Sequence, residues 1–114
     1  MGEAVNKYRN KKTEVAGILF DSAAEARRYG QLIILERANY IKNLERQVKF
    51  ELAPSVMLGG RKKPALRFIA DFKYWDIKKH EWVVEDVKGV VTPLFRVKQH
   101  LMATVHKIEV RLSA

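Results

Sequence analysis

Hydrophobic and polar residues alternate most regularly in the stretch "ALRFIADFKYW", residues 65–75. Leu66, Phe68, Ala70, Phe72 and Tyr74 take every second position, with Arg67, Ile69, Asp71, Lys73 and Trp75 between them. Successive strand side chains point to opposite faces, so this spacing predicts a strand with one apolar face. "EWVVEDVKG", residues 81–89, predicts the next strand, reached through the turn "DIKKH". "QVKFELAP", residues 47–54, predicts an earlier strand that Pro54 ends. "MLGGRKKP", residues 57–64, reads as a turn with a basic tip. "TEVAGILF", residues 13–20, reads as a short strand pair or one bent strand with Gly17 at the bend, and "IEVRL", residues 108–112, as a last strand.

Two segments follow the longer helical period. In "FDSAAEARRYGQLIILERAN", residues 20–39, Ala26, Tyr29, Leu32 and Ile33 recur at helical spacing. Ser22 followed by Glu25 has the form of a capping box, and Asn39 is a stop signal. Gly30 inside this helix costs roughly 1 kcal/mol against alanine unless something approaches it closely. In "TPLFRVKQHLMATVHK", residues 92–107, Thr92 caps and Pro93 suits the first helical position. Leu94, Val97, Leu101 and Val105 predict its buried stripe. The expected order is helix, three mainly antiparallel strands, helix, strand: an α/β fold in a single domain over 13–114, preceded by a basic arm over 1–12.

Composition narrows the functional classes. The chain has 114 residues, no cysteine, and 22 basic against 13 acidic residues, for a formal net charge of +9. Without cysteine there is no disulfide or thiolate metal site, and a cytoplasmic setting is the default expectation. No apolar run is long enough to span a bilayer, so no membrane partner is expected. The charge excess favours a polyanion. Lys7, Arg9, Lys11 and Lys12 form one basic cluster, Arg61, Lys62 and Lys63 another, and Arg96 and Lys98 a third. Nucleic acid is the natural partner of such clusters.

The acidic residues are harder to place. In a regular strand Trp82, Val84, Asp86 and Lys88 share a face, which sets two opposite charges on an otherwise apolar side. A turn centred near Lys78 and Lys79 sets Trp75 opposite Trp82 and Asp71 opposite Asp86. Facing like charges are costly without compensation. One account is ion pairing of Asp71 with Lys73 or Lys88, and of Asp86 with Lys88, which on a surface is worth little. The other is a divalent cation between the carboxylates, whose oxygen donors suit Mg2+, with Mn2+ as the alternative. Lys88 would then hold a phosphate oxygen or orient a water. Glu25 also has two accounts, as a helix cap or as a third carboxylate reaching this site. Glu36, eleven residues on and almost on the same helical face, is a weaker candidate for that job. Glu85 points away from Asp86 and is left out of the set. His80, His100 and His106 form no ligand pattern.

Asp71, followed fifteen residues later by Asp86-Val87-Lys88, resembles the catalytic motif of the PD-(D/E)XK nuclease superfamily. The wider stretches "KYRNKKTEVAGILFDSAAEARRY", "NLERQVKFEL", "FIADFKYWD" and "VVEDVKGVVTPLFRVKQHL" resemble a family of small phage and prophage proteins. These are similar to the Holliday-junction-resolvase-type members of that superfamily. The resemblance covers residues 7 to about 112. It implies a restriction-endonuclease-like core, with Asp71 and Asp86 as metal ligands and Lys88 as the motif lysine. It implies that Glu25 is the acidic residue of the first helix, and it gives Gln47 a weaker role before the first core strand. Ala70 stands where the superfamily name has proline, a position that varies widely among such enzymes.

The resemblance and the charge together lead to the expectation of a magnesium-dependent DNA endonuclease, structure-selective on branched DNA. It would work as a homodimer without a small-molecule cofactor, in the cytoplasm of a phage or prophage host. The rival expectations are a nucleic-acid-binding protein that keeps this fold without cutting, and a packaging or structural accessory protein.

Overall fold

The computed structural model describes residues 12–114. Lys7, Arg9 and Lys11, and nearly all of the basic arm, lie outside the described residues. The chain runs β1 (Thr13–Val15), β2 (Ile18–Phe20), α1 (Ala23–Arg37), β3 (Ile41–Ala53), β4 (Val56–Leu58), β5 (Arg61–Lys63), β6 (Leu66–Asp76), β7 (Glu81–Val87), α2 (Pro93–Val105) and β8 (Arg111–Ser113). It is an α/β protein whose main sheet has the order β3-β6-β7-β8. The first three of these strands are antiparallel and β8 joins β7 in parallel. β1 with β2, and β4 with β5, form two separate ribbons. No helix among the described residues is long and apolar enough to cross a membrane.

Local chemistry explains most of the boundaries. The β1–β2 hairpin turns through Ala16 and Gly17 at φ 53° and 79°, the doubly positive turn that matches strand twist. Ser22 caps α1 by accepting the Glu25 N–H at 3.1 Å. At the other end Asn39 takes the left-handed conformation, φ 64°. The Tyr40 and Asn39 N–H groups then reach back to the carbonyls of Leu35 and Glu36, which closes a Schellman motif. Nothing approaches Gly30 closely, since a methyl there would meet only Val15 Cγ1, at 4.0 Å.

β3 starts at Ile41, six residues before the predicted strand. Its alternation is hidden by two left-handed residues, Asn43 at φ 59° and Gln47 at φ 52°. A register shift falls between Lys42 and Glu45, the mark of a bulge, and it moves Leu44 out of step with Ile41. At the C-terminus only residues 111–113 pair with β7, although Val110 is buried. The apolar spacing of "IEVRL" therefore reports packing, not pairing.

Two buried clusters flank the sheet. Phe20, Ala26, Leu32, Ile41, Phe72, Tyr74 and Val83 pack with α1. Leu52, Phe68, Ala70, Val84, Phe95, Met102 and Val110 pack with α2. Adjacent Val83 and Val84 belong to different clusters, so the helices cover opposite faces of β7. β6 also serves both. Phe72 and Tyr74 enter the first cluster, Phe68 and Ala70 the second, and the handover falls at Asp71. The predicted single apolar face of this strand is thus divided, and Leu66 at its start is exposed.

The predicted stripe of α2 is corrected more sharply. Leu94, Val97 and Val105 are exposed at 64%, 55% and 50%, while Phe95 and Met102 are buried. The helix carries apolar residues on two sides, and periodicity alone could not tell which side the sheet would cover. We expect Phe95→Ala to cost about 3–5 kcal/mol of stability. Leu94→Ala, at an exposed position, should cost no more than about 0.5 kcal/mol. Denaturant unfolding of the two variants measures both, and equal losses would contradict this packing.

Candidate functional site

The β6–β7 pairing has Trp75 opposite Trp82 and continues to Phe72 opposite Glu85. One step further, where the ladder would set Asp71 against Asp86, the strands part. β7 turns to β8, pairing through Glu85, Asp86 and Val87. β6 stays with β3, although its ladder skips the pair Gln47 and Asp71. Backbone groups exposed at such a fork need partners. The two aspartates supply them reciprocally: the Asp71 N–H donates to Asp86 Oδ1 at 3.1 Å, and the Val87 N–H donates to Asp71 Oδ2 at 2.8 Å. Each carboxylate thus replaces a missing carbonyl, and both side chains are drawn into one cleft.

The arrangement is electrostatically tense. Asp86 is only 3% exposed. Burial pushes the Asp71 carboxyl up to about 7; the Val87 N–H bond opposes this, and the charges of Asp86 and Glu25 add to it. Glu25 is raised as well, first by burial, against the pull of Arg46 and with the push of Asp21 and Asp86. Its carboxylate does not serve the cap. Glu25 Oε2 accepts from Gln47 Nε2 at 3.2 Å and stands 3.9 Å from Arg46 Nη2. Gln47, opposite Asp71, therefore meets Glu25 because its left-handed backbone interrupts β3 there. Glu36 belongs elsewhere. It lies about 16 Å along the helix from Glu25 at 1.5 Å per residue, and accepts the Leu44 N–H at 3.2 Å.

Lys88 follows on the open side. Its Nζ lies 3.1 Å from Asp86 Oδ2 and 4.7 Å from the centroid of the Phe95 ring. Asp71, Asp86 and Lys88 line a cavity of about 310 Å³, with Arg67, Lys98 and the start of α2 at its rim. A larger cavity of about 610 Å³ lies beside Trp82 and Lys107, and neither aspartate lines it. Glu25 is not among the residues lining the aspartate cavity, though its charge is felt there. Among the described residues no three carboxylate or imidazole groups converge as a ready cation site. Lys12, Arg61, Lys62, Lys63 and Arg96 are exposed, and Lys98 is half-buried.

Sequence reasoning set Glu85 aside, and the fold depends on it. It is fully buried on the other face of β7. Arg28 donates to it twice, through Nε at 2.5 Å and Nη2 at 3.0 Å. Tyr74 Oη donates at 2.7 Å and Ser113 Oγ at 2.8 Å. Burial alone would raise its pKa, but these bonds more than offset that and hold it lowered. The Tyr74 hydroxyl is pushed up to about 12 by burial and by Glu85. Arg28 sits one turn after Glu25, and Glu85 adjoins Asp86, so this pair ties together the elements that carry those two acids. Arg46 was also unanticipated: its guanidinium lies over the Phe20 ring at 4.3 Å, and its Nε is buried without a hydrogen-bond partner. An acid directly beside a motif acid, in a strand buried on both faces, was the available signal for Glu85.

Residues 5–113 match a family described as a protein of unknown function (DUF1064). The chain belongs to this family. No curated protein and no solved structure matches it. The match spans β1 through β8 of this DUF1064 chain, so fork, cavity and buried clamp all fall within it.

Two outcomes follow from the charges. Asp71 has a folded pKa near 7 against an ordinary value of 3.8, so the folded state holds more protons between them. That contribution to stability falls as pH rises through this window and levels off above it. Asp71→Asn retains an oxygen for the Val87 N–H and removes the charge. Its melting temperature should exceed that of wild type by at least about 5 °C more at pH 8 than at pH 5. A difference that stays constant would mean an ordinary carboxylate. Glu85 acts with the opposite sign: its stabilisation is present above the unfolded pKa near 4.5 and fades as pH falls. Glu85→Ala should cost about 3–5 kcal/mol by stranding Arg28, measured by denaturant unfolding at pH 7. A loss below about 1 kcal/mol, the scale of an exposed ion pair, would refute the clamp.

Proposed function

We propose that this chain is a magnesium-dependent DNA endonuclease of the PD-(D/E)XK type, selective for branched DNA. The observation that carries the reading is the fork, where Asp71 and Asp86 share one cleft with Lys88 beside them. The sheet order β3-β6-β7-β8, with a helix on each side of β7, supports a restriction-endonuclease-like core. Asp71 and Asp86 fit a hard cation. They offer oxygen donors, and the burial and mutual repulsion that raise Asp71 are what a cation would relieve. Two carboxylates suffice for Mg2+, which keeps several of its waters, and Mn2+ suits the same donors. Glu25 would assist from α1.

Bound there, the ion would polarise a phosphoryl oxygen and lower the pKa of a water. The chain's own groups do the rest. The Val87 and Asp71 N–H groups hold the two carboxylates in fixed orientations, so little reorganisation is left for the reaction. Lys88 Nζ, on the cavity side of Asp86, donates to the phosphate as negative charge grows on it. Gln47 and Arg46 keep Glu25 turned from its own cap toward the sheet. Lys98 and Arg67 at the rim attract the flanking phosphates, and the first turn of α2 presents the positive end of its dipole to them. Paired cuts across a junction need two copies of the site, so the working form would be a homodimer.

Cleavage of a four-way junction and a matched linear duplex, with Mg2+ and with EDTA, tests this. Junction cleavage should require the metal. Asp71→Ala and Asp86→Ala should abolish it, and Glu25→Gln should weaken metal affinity and turnover. Lys88→Ala should slow single-turnover cutting by at least about 100-fold while leaving DNA affinity nearly unchanged. DNA binding without cutting in the presence of Mg2+ would favour a non-catalytic binding protein instead.

A further inference from the structure

The β4–β5 ribbon is a separate two-stranded sheet, and all of its strand residues are exposed. Val56, Met57 and Leu58 are 49%, 61% and 57% exposed. A ribbon of this size is marginal in water by itself, and contiguous exposed apolar side chains mark interaction surfaces. The pairing sets a cation opposite each apolar residue: Val56 with Lys63, Met57 with Lys62, Leu58 with Arg61. No acidic residue occurs between Pro54 and Ala65. The tip, Gly59 and Gly60 at φ 57° and 76°, carries no side chain and is narrow.

A partner for this surface must be polyanionic and must offer apolar area within reach of its charges. Duplex DNA does both, since its phosphates flank stacked bases. Paired strands lie about 4.8 Å apart, and two-stranded ribbons enter DNA grooves, the minor groove included. Cations alone would track the backbone. An apolar side chain beside them does what apolar wedges do in proteins that kink DNA: it presses between base steps and unstacks them.

We infer that the β4–β5 ribbon is a DNA-distorting arm. Arg61, Lys62 and Lys63 hold the phosphates, and whichever face of the ribbon enters the groove brings one apolar wedge, Met57 or Leu58, to unstack a base step. This rests on the DNA reading above and adds to it a mechanical role for residues that do not line the acidic cleft. The test uses the full chain in EDTA, so that nothing is cut, with duplexes and junctions carrying 2-aminopurine at successive positions. Wild type should raise the fluorescence at least about two-fold at one position, the signature of an unstacked base. The double variant Met57→Ser with Leu58→Ser should lose that rise while its affinity falls less than about three-fold. Neutralising Arg61, Lys62 and Lys63 should instead weaken binding to all sequences and reduce the salt slope by about three. Melting temperatures of both variants should stay close to wild type, because none of these residues belongs to the core.

Wild type bound with unchanged fluorescence at every position would overturn the arm and leave the DNA reading standing. A double variant that keeps the rise would also overturn it. Capture by anionic vesicles, lost in the double variant without any DNA distortion by wild type, would assign the ribbon to lipid instead. Wild type that binds no duplex even at low salt would overturn the DNA reading itself.

Discussion

The reciprocal bond between Asp71 and Asp86 and each other's strand is the constraint on which the rest of the arrangement turns. A sheet in which one strand leaves its neighbour exposes backbone groups at the fork, and buried groups of this kind must find partners. Here the partners are carboxylates. The bonds that seal the fork therefore concentrate negative charge at it. Fold closure and site assembly are one event in this region. That is why a chain with a formal net charge of +9 keeps two acids in one cleft.

The charge on the front face of β7 is balanced by a different device on the back. Glu85 is fully satisfied by Arg28, Tyr74 and Ser113, whereas Asp71 is under-compensated. Acids on neighbouring strands, Glu85 on β7 and Asp71 on β6, are thus driven in opposite directions by their surroundings. The back-face clamp joins α1, β6, β7 and β8. It fixes the distance between the element carrying Glu25 and the strand carrying Asp86, so rigidity on one face sustains strain on the other.

Much of this was legible in the sequence. The Trp75–Trp82 register, both helix caps, the turns at Gly17 and at Gly59-Gly60, and the meeting of Asp71 with Asp86 follow from alternation, turn chemistry and capping rules, whereas the pairing of β4 with β5 beside the second turn does not. The parts that were not legible have separate physical origins. β3 hides its start because left-handed Asn43 and Gln47 break the period that pattern reading depends on. β6 changes sides at Asp71, so its regular alternation concealed a divided core. α2 is apolar on two sides, and only the sheet decided that Phe95 and Met102 go inward. Glu85 was left out of the ligand set because it faces away from Asp86, and the pattern gave no sign that this face of β7 is covered as well.

The irregularities are not scattered. Gln47 breaks the β3 ladder opposite Asp71, Asp71 is where β6 changes cores, and Asp86 is where β7 changes partners. Three adjacent strands give up regular pairing at one level of the sheet. A protein selected only for stability would close that level with a continuous ladder and apolar side chains, since unpaired backbone and buried acids both cost free energy. The arrangement, braced from behind by a fully bonded glutamate, favours the proposed reading, in which local strain serves chemistry and is stabilised by the surrounding structure. The same reasoning separates the cleft from the β4–β5 ribbon. The ribbon's irregularity is one of exposure, not of pairing, which in the reading proposed above suits a partner and not a reaction.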